Sequence, residues 1–164
     1  KNFYKTFPQN VQADEAAYLT AYCYYLEAPK HSLDQAYTFK AINEIQLYIN
    51  THPNSDKLED CNAYMEELRS KLELKSYEIA FQYYKTRQYK AAMTAFTTTV
   101  SEYPDTPYRE DALYYKTLSA FKLANNSLEA LQDERFTEAK TALNDFEEAF
   151  PTSDRLEDLR KLIH

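Results

Sequence analysis

The chain has 164 residues, of which 44% are hydrophobic and 27% charged, and its formal net charge is −7. That length suits one domain or part of a larger one, the composition supports a packed core, and the acidic balance without a basic stripe excludes a nucleic-acid partner. There is no glycine, so a phosphate-binding P-loop, a dinucleotide fingerprint, a nucleophile elbow and an EF-hand loop, which all need positive φ or close backbone approach, are excluded as well.

Four prolines end four copies of one phrase: Phe3-Tyr-Lys-Thr-Phe-Pro8, Tyr48-Ile-Asn-Thr-His-Pro53, Thr99-Val-Ser-Glu-Tyr-Pro104 and Phe146-Glu-Glu-Ala-Phe-Pro151. They recur roughly 45–50 residues apart, the signature of stacked supersecondary units. Each is followed at six and seven residues by an acidic pair: Asp14-Glu15, Glu59-Asp60, Glu110-Asp111 and Glu157-Asp158. These pairs fall in first helical turns, where the helix dipole favours negative charge, so they read as dipole partners and not as catalytic carboxylates. Ser55-Asp56, Thr106-Pro107 and Ser153-Asp154 supply the helix starts.

In chain order, Lys1–Pro8 reads as the end of a helix whose partner precedes the chain. Helices are then predicted near 12–27, 34–50, 56–86, 88–102, 107–126, 133–149 and 154–163. The third is long because Leu58, Cys61, Met65, Leu68 and Leu72 recur at helical spacing with no breaker before Ala80. Its first half is expected to buttress the preceding hairpin and its second half to open the next one. Residues near Asn125–Glu134 read as an insertion. The last helix is amphipathic through Leu156, Leu159, Leu162 and Ile163, an apolar face without a partner if a further helix follows.

From Glu73 to Thr106 the pattern fits, without gaps, the roughly 34-residue tetratricopeptide repeat. Its markers are Ile79, Ala80, Tyr83, Tyr89, Ala92, Phe96 and Pro104. Ala80 and Ala92 let two helices approach, and Tyr83, Tyr89 and Phe96 are expected to fill the space between them. Ala21 and Tyr24 resemble Ala80 and Tyr83. The fold expected is therefore all-α, a right-handed superhelix of stacked antiparallel hairpins with one long shared helix. It is one domain with repeats at 12–53, 54–104 and 105–151, and the start of a C-terminal helix at 153–164.

His31, His52 and His164 lack metal-site spacing. Cys23 and Cys61 read as two buried thiols, with a disulfide in an oxidising compartment as the alternative. No metal, cofactor or enzymatic activity is expected. Binding is expected on the first helix of the full repeat. Tyr77, Phe81 and Tyr84 lie at i, i+4 and i+7 on one face, followed by Lys85 and Arg87. Two readings stand: the rings pack under a neighbouring helix, or they floor a groove for a peptide with Lys85 and Arg87 at its rim. A carboxylate clamp of the chaperone-tail type would need a paired Lys/Asn constellation, which the pattern does not show.

The stretch Pro53-Asn-Ser, the long helix through Glu67-Leu-Arg-Ser-Lys-Leu-Glu-Leu-Lys-Ser-Tyr-Glu-Ile-Ala80, Tyr83-Tyr-Lys-Thr-Arg87 and Tyr103-Pro-Asp-Thr-Pro-Tyr-Arg-Glu-Asp-Ala-Leu113 resembles the BamD-type outer-membrane assembly lipoproteins, a tetratricopeptide family. The resemblance covers about residues 14–151. It implies a non-catalytic scaffold without cofactor on the periplasmic side of the outer membrane. Implied partners are a BamA-like barrel insertase, other assembly lipoproteins and unfolded outer-membrane proteins. The family's lipid-modified N-terminal cysteine has no counterpart, since neither Cys23 nor Cys61 lies near the start, and an N-terminal repeat and a half is missing. The other readings are a general periplasmic adaptor for peptide segments of envelope proteins, and an accessory domain of a larger enzyme.

Overall fold

The computed structural model describes residues 12–163 and Thr6, so the helix end expected over Lys1–Pro8 lies, but for Thr6, outside the described residues. Seven α-helices follow in order: α1 Ala13–Glu27, α2 Ala36–Thr51, α3 Leu58–Lys85, α4 Tyr89–Glu102, α5 Arg109–Asn125, α6 Glu129–Ala149 and α7 Leu156–Arg160, then a 3₁₀ turn Lys161–Ile163. No strand occurs among the described residues. The fold is all-helical and of the tetratricopeptide type.

The proline phrases work alike in three places. Before the proline, His52, Tyr103 and Phe150 have φ of −129, −129 and −138° and ψ of 60, 72 and 64°, outside the helical region that a following proline disfavours. Their N–H groups still donate to the carbonyls of Tyr48, Thr99 and Phe146, closing the helix. Two residues after the proline, a hydroxyl accepts from the second N–H onward: Ser55 Oγ from Lys57 at 3.2 Å, Thr106 Oγ1 from Tyr108 at 3.4 Å, Ser153 Oγ from Arg155 at 3.2 Å. These hydroxyls shape the turn that leads into the next helix and are not themselves its caps, because α5 and α7 start at Arg109 and Leu156 behind Tyr108 and Arg155, neither with a side-chain cap bond.

The chain divides into two compact units, Lys1–Leu72 and Glu73–His164, and the boundary falls inside the unbroken helix α3. In the first unit Ala17 and Ala21 of α1 pack on Ala41, Ile45 and Tyr48 of α2 and on Cys61 and Leu68 of α3. In the second, Ala80, Ala92, Phe96 and Ala112 form one cluster. Phe121, Leu143, Phe146 and Leu159 anchor another. The alanines allow close helix approach, and hydroxyls bridge it: Ser76 Oγ lies 2.7 Å from Thr99 Oγ1, and Thr117 Oγ1 donates to the Ala142 carbonyl at 3.0 Å.

Four expectations are corrected. Helix α6 begins at Glu129, not 133, so the extra residues extend a helix; nothing between Leu128 and Phe136 breaks one, and the Gln132 amide donates back to the Ser127 carbonyl. Tyr83 does not fill the hairpin: it is 36% exposed, as is Ile79 at 46%, whereas Phe96 is fully buried. Cys23 is exposed and Cys61 buried, and both thiols are free. Cys23 lies on the opposite side of α1 from the Ala17–Ala21 stripe, and for this reason it escapes the core. Finally, the apolar face of the last helix has a partner within the chain, because Leu156 and Leu159 are buried against the α5–α6 cluster.

Candidate functional site

Tyr77, Phe81 and Tyr84 project from the second half of α3 toward α5. All three are half-buried and pack on the Ala80–Phe96 cluster. Tyr77 stacks on Tyr108 with centroids 4.9 Å apart. Tyr115 sits between the other two, edge-on to Phe81 at 4.8 Å and tilted against Tyr84 at 4.9 Å. Lys85 is exposed, and its ammonium lies 5.1 Å from the Phe81 centroid. From α5, the Lys122 ammonium lies 5.8 Å from the Tyr84 centroid. Each contact pairs a cation with the negative face of a ring.

Arg87 occupies the turn after α3 with φ of 61°. The Gln88 N–H reaches back to the Tyr83 carbonyl and the Arg87 N–H to the Tyr84 carbonyl, a Schellman termination with Arg87 at the left-handed position where glycine is usual. Its side chain is exposed beside the basic end of the strip. Burial pushes the Tyr77 phenol up to about 12, with Asp111 adding to the shift. Burial, then neighbouring tyrosines, also raises Tyr84.

A second strip was not singled out from the sequence. Placing Ala21 on Ala80 sets Tyr18, Tyr22 and Tyr25 on Tyr77, Phe81 and Tyr84. Placing Pro53 on Pro104 sets Tyr64 on Tyr115 and Lys71 on Lys122. The structure has this arrangement in the first unit. Tyr64 stacks on Tyr25 at 4.3 Å and tilts against Tyr22 at 5.5 Å, and the Lys71 ammonium lies 5.8 Å from the Tyr25 centroid. The alignment signal was available in the Ala21–Ala80 match.

The leading ring of each strip, and Tyr114 of α5, is also covered by the residue four after a proline. Lys57 lies over Tyr18 at 5.8 Å, Tyr108 over Tyr77 at 4.9 Å, and Arg155 over Tyr114 at 4.9 Å. The acidic pairs join the same seams. Asp14 accepts from the Tyr48 hydroxyl at 2.9 Å, Glu110 from the Ser153 hydroxyl at 2.6 Å, and Asp111 from the Arg155 guanidinium. These carboxylates thus sit at helix N-termini and also make tertiary bonds, Asp14 within the α1–α2 hairpin and Glu110 and Asp111 from the α5–α6 hairpin to the segment before α7, which the dipole reading alone did not anticipate.

A cleft of about 470 Å³ lies elsewhere in the second unit, between α4, α5 and α6, and contains none of the five candidate residues. Among the described residues no group of three or more His, Cys, Asp or Glu side chains is placed to hold a metal ion. No helix among them is long and apolar enough to cross a membrane.

The arrangement thus offers apolar, hydrogen-bonding contact area with a charged rim. Similarity to known proteins points the same way. The sequence profile of the YfiO family, described as an outer membrane lipoprotein, matches residues 1–127. The outer membrane protein assembly factor BamD of Caulobacter vibrioides is 27% identical over 112 residues, which is 68% of this chain and 37% of that protein. The chain thus spans well under half the length of that relative. Profile, all-helical fold and repeated proline turns agree, and the chain belongs to the YfiO family of outer membrane lipoproteins, which face the periplasm.

Proposed function

We propose that this chain is a non-catalytic scaffold of outer-membrane protein assembly. It docks on the barrel insertase and on segments of unfolded outer-membrane protein through Tyr77, Phe81, Tyr84, Lys85 and Arg87. The carrying observation is the half-buried strip itself, three rings on one helix face with exposed Lys85 and Arg87 at one end. Aromatic anchors with a charged rim are the usual energetic centre of a docking face, each worth about 2 kcal/mol or more. Tyrosine suits such a face because its ring packs while its hydroxyl stays wet. Family membership and the BamD relative's role in assembly support the partner class.

The test is a tagged pull-down from detergent-solubilised envelope. Co-purification of a barrel insertase is the expected result. Recovery of other envelope proteins without it would overturn the assembly reading and leave a general periplasmic adaptor.

A further inference from the structure

The two strips share a register and differ at one position. In the first unit Glu67 accepts from the Tyr25 hydroxyl through one carboxylate oxygen and from the Lys71 ammonium, at 2.9 Å, through the other. Both partners hold the Glu67 carboxyl below its usual range, with the tyrosine bond the larger cause. In the second unit Tyr84 stands for Tyr25 and Lys122 for Lys71, at the same 5.8 Å between ammonium and ring. The residue aligned with Glu67 is Leu118, which is half-buried and turned to the α5–α6 cluster, so no carboxylate stands there. Among the described residues no carboxylate pairs with Lys122, Lys85 or Arg87, and no group hydrogen-bonds the Tyr84 hydroxyl. In a chain of net charge −7, two cations, Lys85 and Lys122, thus lie over this ring cluster without an acid of their own, and exposed Arg87 follows in the turn after α3.

We infer that the α3–α5 strip takes a carboxylate side chain from a partner segment, bound between the Tyr84 hydroxyl and the Lys122 ammonium in the manner of Glu67 between Tyr25 and Lys71. The carboxylate accepts two hydrogen bonds, one of them charge-assisted. An apolar neighbour on the same segment lies over Phe81 and Tyr115, and Lys85 and Arg87 favour further acidic residues. The occupant is therefore an acidic side chain beside a hydrophobic one within a polypeptide. This inference rests on the docking role proposed for the strip and adds the chemistry that the strip selects.

The probes are acetyl-Ala-Phe-Glu-Ala-amide and its Gln counterpart, titrated into the 164-residue chain while the ring signals of Tyr84 and Tyr115 are followed by NMR. The Glu peptide should bind about tenfold tighter than the Gln peptide, the scale of one charge-assisted contact. Lys122→Gln, at an exposed position, should remove that preference with helicity unchanged. Equal binding of the two peptides to the parent would overturn the carboxylate requirement and leave the docking face standing. Binding of neither would overturn both. Preference for acetyl-Ala-Ala-Phe with a free C-terminal carboxylate over the Glu peptide would overturn the side-chain source.

Discussion

In the first unit Tyr22 and Tyr25 face Tyr64, and in the second Phe81 and Tyr84 face Tyr115. The first strip closes on itself. Its cations Lys71 and Lys57 have carboxylates nearby in Glu67 and Asp56, and its hydroxyls reach Asp60 and Glu67. The second strip has Leu118 where Glu67 stands, and Lys85 and Arg87 where the first has Leu26 and Ala28. The same helix packing therefore supports a seam whose polar groups answer one another and a face whose Lys85, Arg87 and Lys122 are exposed without a carboxylate partner among the described residues. The difference arises from a few substitutions on a shared backbone, so binding chemistry here is separable from fold.

The largest effects should come from the buried residues that the two units share. Phe96 and Ile45 occupy equivalent, fully buried positions. Phe96→Ala should cost about 3–5 kcal/mol and Ile45→Ala about 2–5 kcal/mol in denaturant unfolding. Unfolding of either variant at the parent's midpoint would break the equivalence. Next, Ala80 is fully buried between α3 and α4, and Ala80→Leu should cost about 1–3 kcal/mol by overpacking. An unchanged melting temperature would mean that the close contact lies elsewhere.

A smaller effect of opposite sign is expected at the turns. Arg87 sits at positive φ, whereas the first hairpin leaves α1 through Ala28 at φ of −64°. Arg87→Gly should stabilise the second unit by about 0.5–1 kcal/mol, the left-handed penalty less the entropy that glycine loses. Destabilisation would show that the Arg87 side chain holds the turn.

The smallest expected effect is in alkaline titration. The Tyr25 phenol is pushed up from 10.0 to about 12, first by its bond to Glu67 and then by burial. The folded state holds this proton more tightly than the unfolded chain does. Its contribution to stability is therefore complete below pH 10 and disappears as pH rises toward 12. Glu67→Leu, which gives the first strip the second strip's residue, should bring Tyr25 back toward the ordinary value and remove that alkaline dependence. Tyrosinate absorbance unchanged from the parent would contradict the role given to Glu67.

Much of this architecture was legible because its signals are local. The proline phrases, the hydroxyls after them and the alanines at helix contacts carry their own physical reasons, and α3 is continuous because no residue between Leu58 and Lys85 breaks it. The strip at Tyr77, Phe81 and Tyr84 could also be read, since three aromatics on one helix face form a local pattern. Its distinguishing chemistry could not. Leu118 and Lys122 lie on a different helix, and their meaning depends on which side chains α5 sets against α3. Cys23 and Tyr83 were misplaced for a related reason. Helix α1 carries Leu19, Cys23 and Leu26 on its exposed side, so apolar character alone does not mark its buried face. The Tyr83–Tyr84 pair offers two adjacent rings, and only the packing of α5 against α3 decides that Tyr84 faces inward.

The most direct test compares Tyr84→Ala with Tyr25→Ala. The two positions are equivalent in packing, both half-buried against a facing tyrosine, so their losses of thermal stability should be similar. Capture of the barrel insertase from solubilised envelope should fall at least about tenfold for Tyr84→Ala, the scale of an aromatic anchor, and stay near the parent level for Tyr25→Ala. Equal capture by both variants, or losses that track melting temperature alone, would return Tyr77, Phe81 and Tyr84 to a purely structural role.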